Sequence, residues 1–514
     1  MAILKTSDRK PMPGATYVST ADPLERLEVT VILKGHTNLP KTATSKALKA
    51  IDHRTFTRQY GAKTKDFDPI RTFARRAGLG LAHEHLPSRT AILSGTVKDF
   101  SSAFGVRLHR FDYHGGKYYP DGTYRGRSGK INLPAELAGK VDAVMGLDNR
   151  PQAFPFFQLK QGIDNYPGFT PMQVANLYDF PEGDGRGQCI GLIELGGGYQ
   201  IDDLRTYFHR LEMKVPKLCL ISVDHAKNVS SGCPTGVDGE VMLDIEIAHA
   251  IAPAAKIVVY LTTNSDAGFY NAVTRAIHDF NNRPSVLSIS WGCAESMWTP
   301  QAMIAMDNAF QDAARLGITI CVSSGDAGAT GGIPGVRSHA VFPASSPHVL
   351  ACGGSTLHAD RGQITAEGVW SSQWGQTGGG VSKLFRRPQW QRGLKITTVD
   401  GRRRELAFRG IPDVCGDGDP ETGFRFRANR FDGVVAGTSA VAPLWAALIA
   451  RINSTTNRRL GFLNPHLYAN RQAFRDVTSG SNGAYLAGSG WDACTGLGSP
   501  HGTRLQKSIR SAKR

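Results

Sequence analysis

Ser439 stands among small residues, Gly437-Thr438-Ser439-Ala440-Val441-Ala442-Pro443, just where the helix-like run Leu444–Ile452 begins. A hydroxyl there can stand clear of its neighbours, and helix N–H groups face any negative charge that develops beside it, which suits a nucleophile. An N-capping serine needs the same surroundings, so Ser439 alone decides nothing. A second segment, Gly239-Glu240-Val241-Met242-Leu243-Asp244, separates two acids by four residues. On a helix that spacing stacks Glu240 and Asp244 on one side. Like charges so placed cost an isolated helix about 0.3 kcal/mol, which is tolerable if they share a task. One carboxylate can take a serine proton while the other orients it. Such a base titrates at about pH 4, so it works in acid, where an imidazole would already be protonated. A third acid, Asp326 in Ser323-Ser324-Gly325-Asp326-Ala327-Gly328, follows an apolar run and falls at the carboxyl edge of a strand. Taken alone it reads equally as an Asp in a Gly-rich turn.

The elements that must position these groups form two patterns. Runs at residues 189–195, 255–261, 286–290, 319–323 and 348–351 are near-continuously apolar, and helical stretches at 241–250, 268–280 and 300–316 separate them. That alternation predicts a buried parallel sheet of α/β type. Upstream, a strand at 27–33, helices at 52–60 and 69–77, a strand at 90–93, a helix at 97–104 and a strand at 106–113 predict a small α+β domain. Residues 1–27 are polar and read as a flexible arm, and 149–167, punctuated by Pro and Gly, reads as a linker open to cleavage. The domain expectation is therefore arm 1–27, a small α+β domain 28–148, a linker 149–167, and a larger α/β domain 168–514.

Composition narrows the classes. No apolar run approaches the roughly 18 residues of a membrane helix, and the first ten residues lack the apolar core of a secretory signal. Of the formal charge of +16, about +11 falls before residue 166. A basic segment bound to an acid-rich cleft explains this without nucleic acid, and Arg402-Arg403-Arg404 has no recognition helix beside it. All eight cysteines lie beyond residue 188 without CxxC spacing, and read as buried free thiols.

Across about residues 28 to 505 the chain resembles the sedolisins, the serine-carboxyl peptidases, in their kumamolisin branch with the propeptide attached. The likeness rests on Tyr60-Gly61-Ala62, Leu93-Ser94-Gly95-Thr96, Ala103-Phe104-Gly105-Val106 and Gly146-Leu147-Asp148-Asn149-Arg150 in the first domain. In the second it rests on Ile193-Glu194-Leu195-Gly196-Gly197-Gly198-Tyr199, the Glu240/Asp244 segment, Ser290-Trp291-Gly292, Ser324-Gly325-Asp326 and Gly437-Thr438-Ser439. The resemblance implies a subtilisin-like parallel-sheet catalytic domain after a small α+β, ferredoxin-like propeptide domain. It implies an autoprocessed, acid-acting endopeptidase in which Ser439 attacks, Glu240 is the base, Asp244 orients it and Asp326 serves the oxyanion hole. Glu194 and Trp291 would extend the acid network. It further implies one calcium ion, held by Asp476 and Asp492 carboxylates and the Val477, Gly488 and Gly490 carbonyls. Ser489 stands there in place of a common proline. The implied partners are protein or peptide substrates and the chain's own propeptide, with no nucleic acid and no membrane, in a secreted monomer.

Two stretches depart from the family pattern: Val414-Cys415-Gly416-Asp417-Gly418-Asp419-Pro420, and the Arg-rich Phe424–Phe431. Both precede the nucleophile and bear on substrate subsites. A tripeptide-releasing exopeptidase, a subtilisin-type peptidase with a catalytic histidine, and a non-catalytic binding protein on the same scaffold are the competing expectations.

Overall fold

The computed structural model describes residues 2–35, 50–114, 121–160, 168–335 and 338–512. Its C-terminal part is built on an eight-stranded sheet with Leu218–Ser222, Lys256–Leu261, Cys189–Glu194, Val286–Ile289, Thr319–Ser323, Leu350–Asp360 and Gln363–Val369 in that order. Val414–Asp417 also pairs with Leu350–Asp360. Every pairing is parallel except that of Gln363–Val369, which returns as a hairpin partner. The β-branched, apolar strands are buried along their length, as a sheet covered on both faces requires. Two helices cross it. Val237–Ile251 has fourteen of its fifteen residues buried, so it is a core helix without a solvent-exposed face. Thr438–Thr456 is buried from Thr438 through Asn453.

The strand expectations land within one or two residues for most of the central sheet. The run expected at 348–351 is far longer, Leu350–Asp360, because its outer half pairs with Gln363–Val369 and needs no apolar residues on its exposed side.

The N-terminal domain has a four-stranded antiparallel sheet ordered Gly80–His85, Thr90–Thr96, Arg26–Leu33, Val141–Met145. Helices Asp68–Arg76 and Val97–Phe104 complete a β-α-β-β-α-β order with the first strand central, the ferredoxin-like arrangement. Phe67, Phe73, Phe100 and Phe104 fill its core.

The flexible arm expected over residues 1–27 is not what the structure shows. Ala2–Arg9 pairs antiparallel with Gly129–Leu133, and Thr16–Thr20 pairs with Leu108–Tyr113. Arg9 supplies the reason: it is buried against Asp266 at 3.0 Å, Asp148 at 3.4 Å and the Gln152 side chain at 2.7 Å. A polar sequence therefore concealed a docked strand.

Candidate active site

Ser439 is the second residue of the helix that begins at Thr438, directly after Gly437, whose φ of +108° is open to glycine. A Cβ at Gly437 would lie 2.3 Å from Phe156 O and 2.6 Å from Asp326 Oδ2. Glycine is thus needed for this backbone and the segment at Phe156 to meet. Further along the helix, Pro443 cannot donate to Ser439 O, and Ser290 Oγ approaches that carbonyl at 3.3 Å instead.

Ser439 Oγ donates to Glu240 Oε2 at 2.8 Å. The Asp244 carboxyl hydrogen bonds with that of Glu240 and accepts from Ser290 Oγ at 2.8 Å. Glu194 Oε2 accepts from Trp291 Nε1 at 3.0 Å and interacts with Asp244. Glu194, Glu240 and Asp244 are wholly buried. Burial, then mutual repulsion, pushes Glu194 and Glu240 well above the ordinary carboxylate range, and burial raises Asp244. Three such acids hold protons between them, and protonating Asp244 and Glu194 removes the repulsion that raises Glu240. Neutralising those two neighbours therefore lessens the upward push on Glu240, while burial, the larger cause, still favours its protonated form. Asp326 joins from the end of Thr319–Ser323, its Oδ1 accepting from Thr438 N at 2.8 Å and Thr438 Oγ1 at 2.9 Å. The structure thus brings Ser439, Glu240, Asp244, Asp326, Glu194 and Trp291 into one centre, and a carboxylate occupies the place that a histidine would take beside the serine.

Thr438, which fixes Asp326, and Ser290, which fixes Asp244, were not singled out from sequence. Both lie inside motifs quoted for a neighbouring residue, so position within the motif was the available signal.

The larger surprise is the linker. Phe154–Pro155 pairs antiparallel with Trp291–Ala294, and Gln158–Lys160 with Phe431–Ala436. Phe156 sits between them. Its carbonyl accepts from Ser439 N at 2.8 Å, and its N–H donates to Ser290 O at 3.2 Å and lies 3.0 Å from Ser439 Oγ. The Phe156 ring enters a slot kept open by a missing side chain: a Cβ at Gly292 would be 3.0 Å from the ring. Beyond the ring lies a cavity of about 370 Å3, lined in part by Cys293, Met297 and Ile333 and covered by Met12 and Pro13 of the N-terminal domain. Phe157 packs against Gly239, where a Cβ would come within 2.9 Å of its ring. Gln158 Nε2 reaches Asp326 Oδ2 at 3.2 Å.

The expected calcium ligands fall in one loop. Asp476 Oδ2 accepts from Gly490 N at 2.8 Å, and Asp492 accepts from the N–H groups of Gly488, Cys494 and Thr495. Asp492 is buried, its carboxyl pushed up to about 6 by burial, and its described partners carry no positive charge. No cluster of three or more acidic, His or Cys side chains suited to a metal occurs among the described residues. Two carboxylates remain, a donor type that suits a hard cation. All eight cysteines are unpaired, six of them buried; Cys233 is exposed and Cys219 intermediate. No described helix is long and apolar enough to cross a membrane.

Comparison with known proteins adds to this geometry. Residues 13–150 match the pro-kumamolisin activation domain, and residues 225–476 match the subtilase family. Kumamolisin of Bacillus sp. (strain MN-32) is 43% identical over 99% of this chain and 96% of its own length. Tripeptidyl-peptidase sed5 of Aspergillus fumigatus is 28% identical over 99% of this chain and 97% of its own. Among solved structures, Pseudomonas sedolisin, a serine-carboxyl proteinase complexed with pseudo-iodotyrostatin, superposes with a TM-score of 0.59 at 28% identity, covering 68% of this chain and 99% of that one.

Proposed function

The chain belongs to the kumamolisin–sedolisin family of serine-carboxyl peptidases and carries its activation domain as a zymogen does, and we propose that it is an acid-range endopeptidase that cuts its own Phe156–Phe157 bond. The observation that carries this is the Phe156 carbonyl, which accepts the Ser439 N–H while its peptide runs on in both directions through the cleft. An exopeptidase releasing tripeptides needs the cleft closed three residues before the bond. Here the chain passes through that place.

In the reaction, Ser439 Oγ attacks the Phe156 carbonyl carbon as Glu240 takes its proton, with Asp244 holding Glu240 in position. The oxyanion is met by Ser439 N–H and by Asp326, which donates when protonated. Glu240 then passes the proton to the leaving nitrogen of Phe157, and water hydrolyses the Ser439 ester by the reverse path. Glu194 and Trp291 anchor Asp244 from behind.

Calcium at the Asp476/Asp492 loop would supply the positive charge that the buried Asp492 lacks and tie the loop together. An acid working range suits secretion, and we take the enzyme to act outside the cell, as a monomer, on proteins or peptides.

Incubating the purified precursor at about pH 4 should yield a chain beginning at Phe157, read by N-terminal sequencing, while Ser439→Ala stays intact. Equal conversion of Ser439→Ala without added peptidase would sink self-processing.

A further inference from the structure

Past the Phe156–Phe157 bond, the bound segment does not leave the cleft at once. Gln158, Leu159 and Lys160 face Ala436, Val435 and Val434 in antiparallel register. Those residues belong to the return strand of a hairpin whose other strand is Phe424–Ala428, the Arg-rich stretch that departs from the family pattern. The linker is thus the edge strand of a three-stranded sheet, and the hairpin supplies the other two strands.

Side chains on this edge meet fitted surfaces. Leu159 lies over Gly433, where a Cβ would come 3.0 Å from its Cδ1. Lys160 Nζ bonds to Glu421 Oε2, and Trp374 Nε1 holds the other oxygen of that carboxylate at 2.7 Å. The hydrogen bonds from Lys160 and Trp374 keep Glu421 below its ordinary range, so its charge persists to lower pH than that of an unpaired glutamate. The main-chain ladder gives affinity for any extended peptide, and the Gly433 contact and the Glu421 carboxylate give it a preference.

Taking residues 154–160 as a bound substrate, the reading on which this inference rests, we propose that hairpin 424–436 with Glu421 is a substrate exosite on the leaving-group side of the bond. It binds residues two to four positions after the cut as an added β-strand, preferring an aliphatic residue at the third and Lys or Arg at the fourth. Substrate entering after processing must displace the tethered Phe157–Lys160 strand, so its residues compete for these same contacts.

The test uses the acid-matured enzyme and quenched peptides that share Phe-Phe-Gln across the bond and continue as Leu-Lys, Leu-Glu, Gly-Gly or an amide cap. Removing the last two residues should lower kcat/KM roughly tenfold. Exchanging Lys for Glu should cost about threefold, as fits a partly exposed ion pair. Glu421→Arg should reverse the order of the Lys and Glu peptides. Equal cleavage of all four peptides at Phe–Phe, or an unchanged order in Glu421→Arg, overturns the exosite and leaves the Phe156–Phe157 reading standing. Absence of Phe–Phe cleavage overturns both.

Discussion

Two clusters of buried acids in this molecule meet opposite fates. Where the N-terminal domain docks, Asp148 is wholly buried, yet Arg9 and Arg150 outweigh the desolvation and hold it below the ordinary range. At the catalytic centre Glu194, Glu240 and Asp244 are just as buried, and they meet only hydroxyl, indole and carboxyl groups. All three are raised. Burial is the leading cause in both places, so the partner sets the sign. One cluster is built to keep charge, the other to keep protons. Asp266 shows the boundary between them: it shares Arg9 but faces Asp148, and burial leaves it raised.

The strongest way to break this contrast is to remove the cation from the paired cluster. Arg9→Leu leaves Asp148 and Asp266 buried with less compensation, and should destabilise the precursor by about 3–5 kcal/mol at neutral pH. Denaturant unfolding in the Ser439→Ala background measures it. The pH dependence follows from the lowered pKa of Asp148. Its contribution is present above the unfolded value of about 4 and is lost as pH falls through the lower folded value, so acidification weakens docking. Asp266 acts with the opposite sign, its contribution being complete below about pH 4 and lost as pH rises through its raised folded value. The Arg9→Leu deficit should therefore shrink in acid. A deficit under about 1 kcal/mol at neutral pH would place Arg9 among ordinary surface pairs.

Asp492 offers a third case, a buried acid raised to about 6 with no cation among its described partners. If calcium completes it, a hundredfold excess over Kd should stabilise the mature enzyme by about 2.7 kcal/mol. Thermal unfolding with and without a chelator reads this independently of activity, and Asp492→Asn should abolish the difference. A chelator-insensitive Tm would remove calcium from the account.

The sequence made some of these features visible and hid others for physical reasons. Glu240 and Asp244 were legible because helix periodicity fixes their common side whatever surrounds them. The parallel strands were legible because burial on both faces leaves no polar residue to blur the run. The N-terminal strand Ala2–Arg9 was hidden, since its burial is ionic: Arg9 is inside because Asp148 and Asp266 are there, and neither is near it in sequence. The linker was hidden in a different way. Phe154-Pro155-Phe156-Phe157 has the irregular look of a loop because its pairing partners, Trp291–Ala294 and Phe431–Ala436, lie more than a hundred residues away. A segment whose pairing partners all lie that far away needs no periodicity of its own.

The smallest expected effect probes the proton-holding cluster without touching Ser439 or its proposed base, Glu240. Glu194 is raised, so its contribution to stability is complete below the unfolded value of about 4.3 and is lost as pH rises through the folded one. The mature enzyme should accordingly lose stability toward neutral pH. Glu194→Gln keeps the shape and a neutral side chain at every pH, so its Tm should fall less steeply, by an amount equivalent to about 1 kcal/mol. Glu240 also loses one source of repulsion in this variant. Its own pKa should drop, carrying the acid limb of the kcat/KM profile to lower pH. A merely structural glutamate would change Tm and leave that limb in place, so the paired readout separates a positioning acid from a packing one.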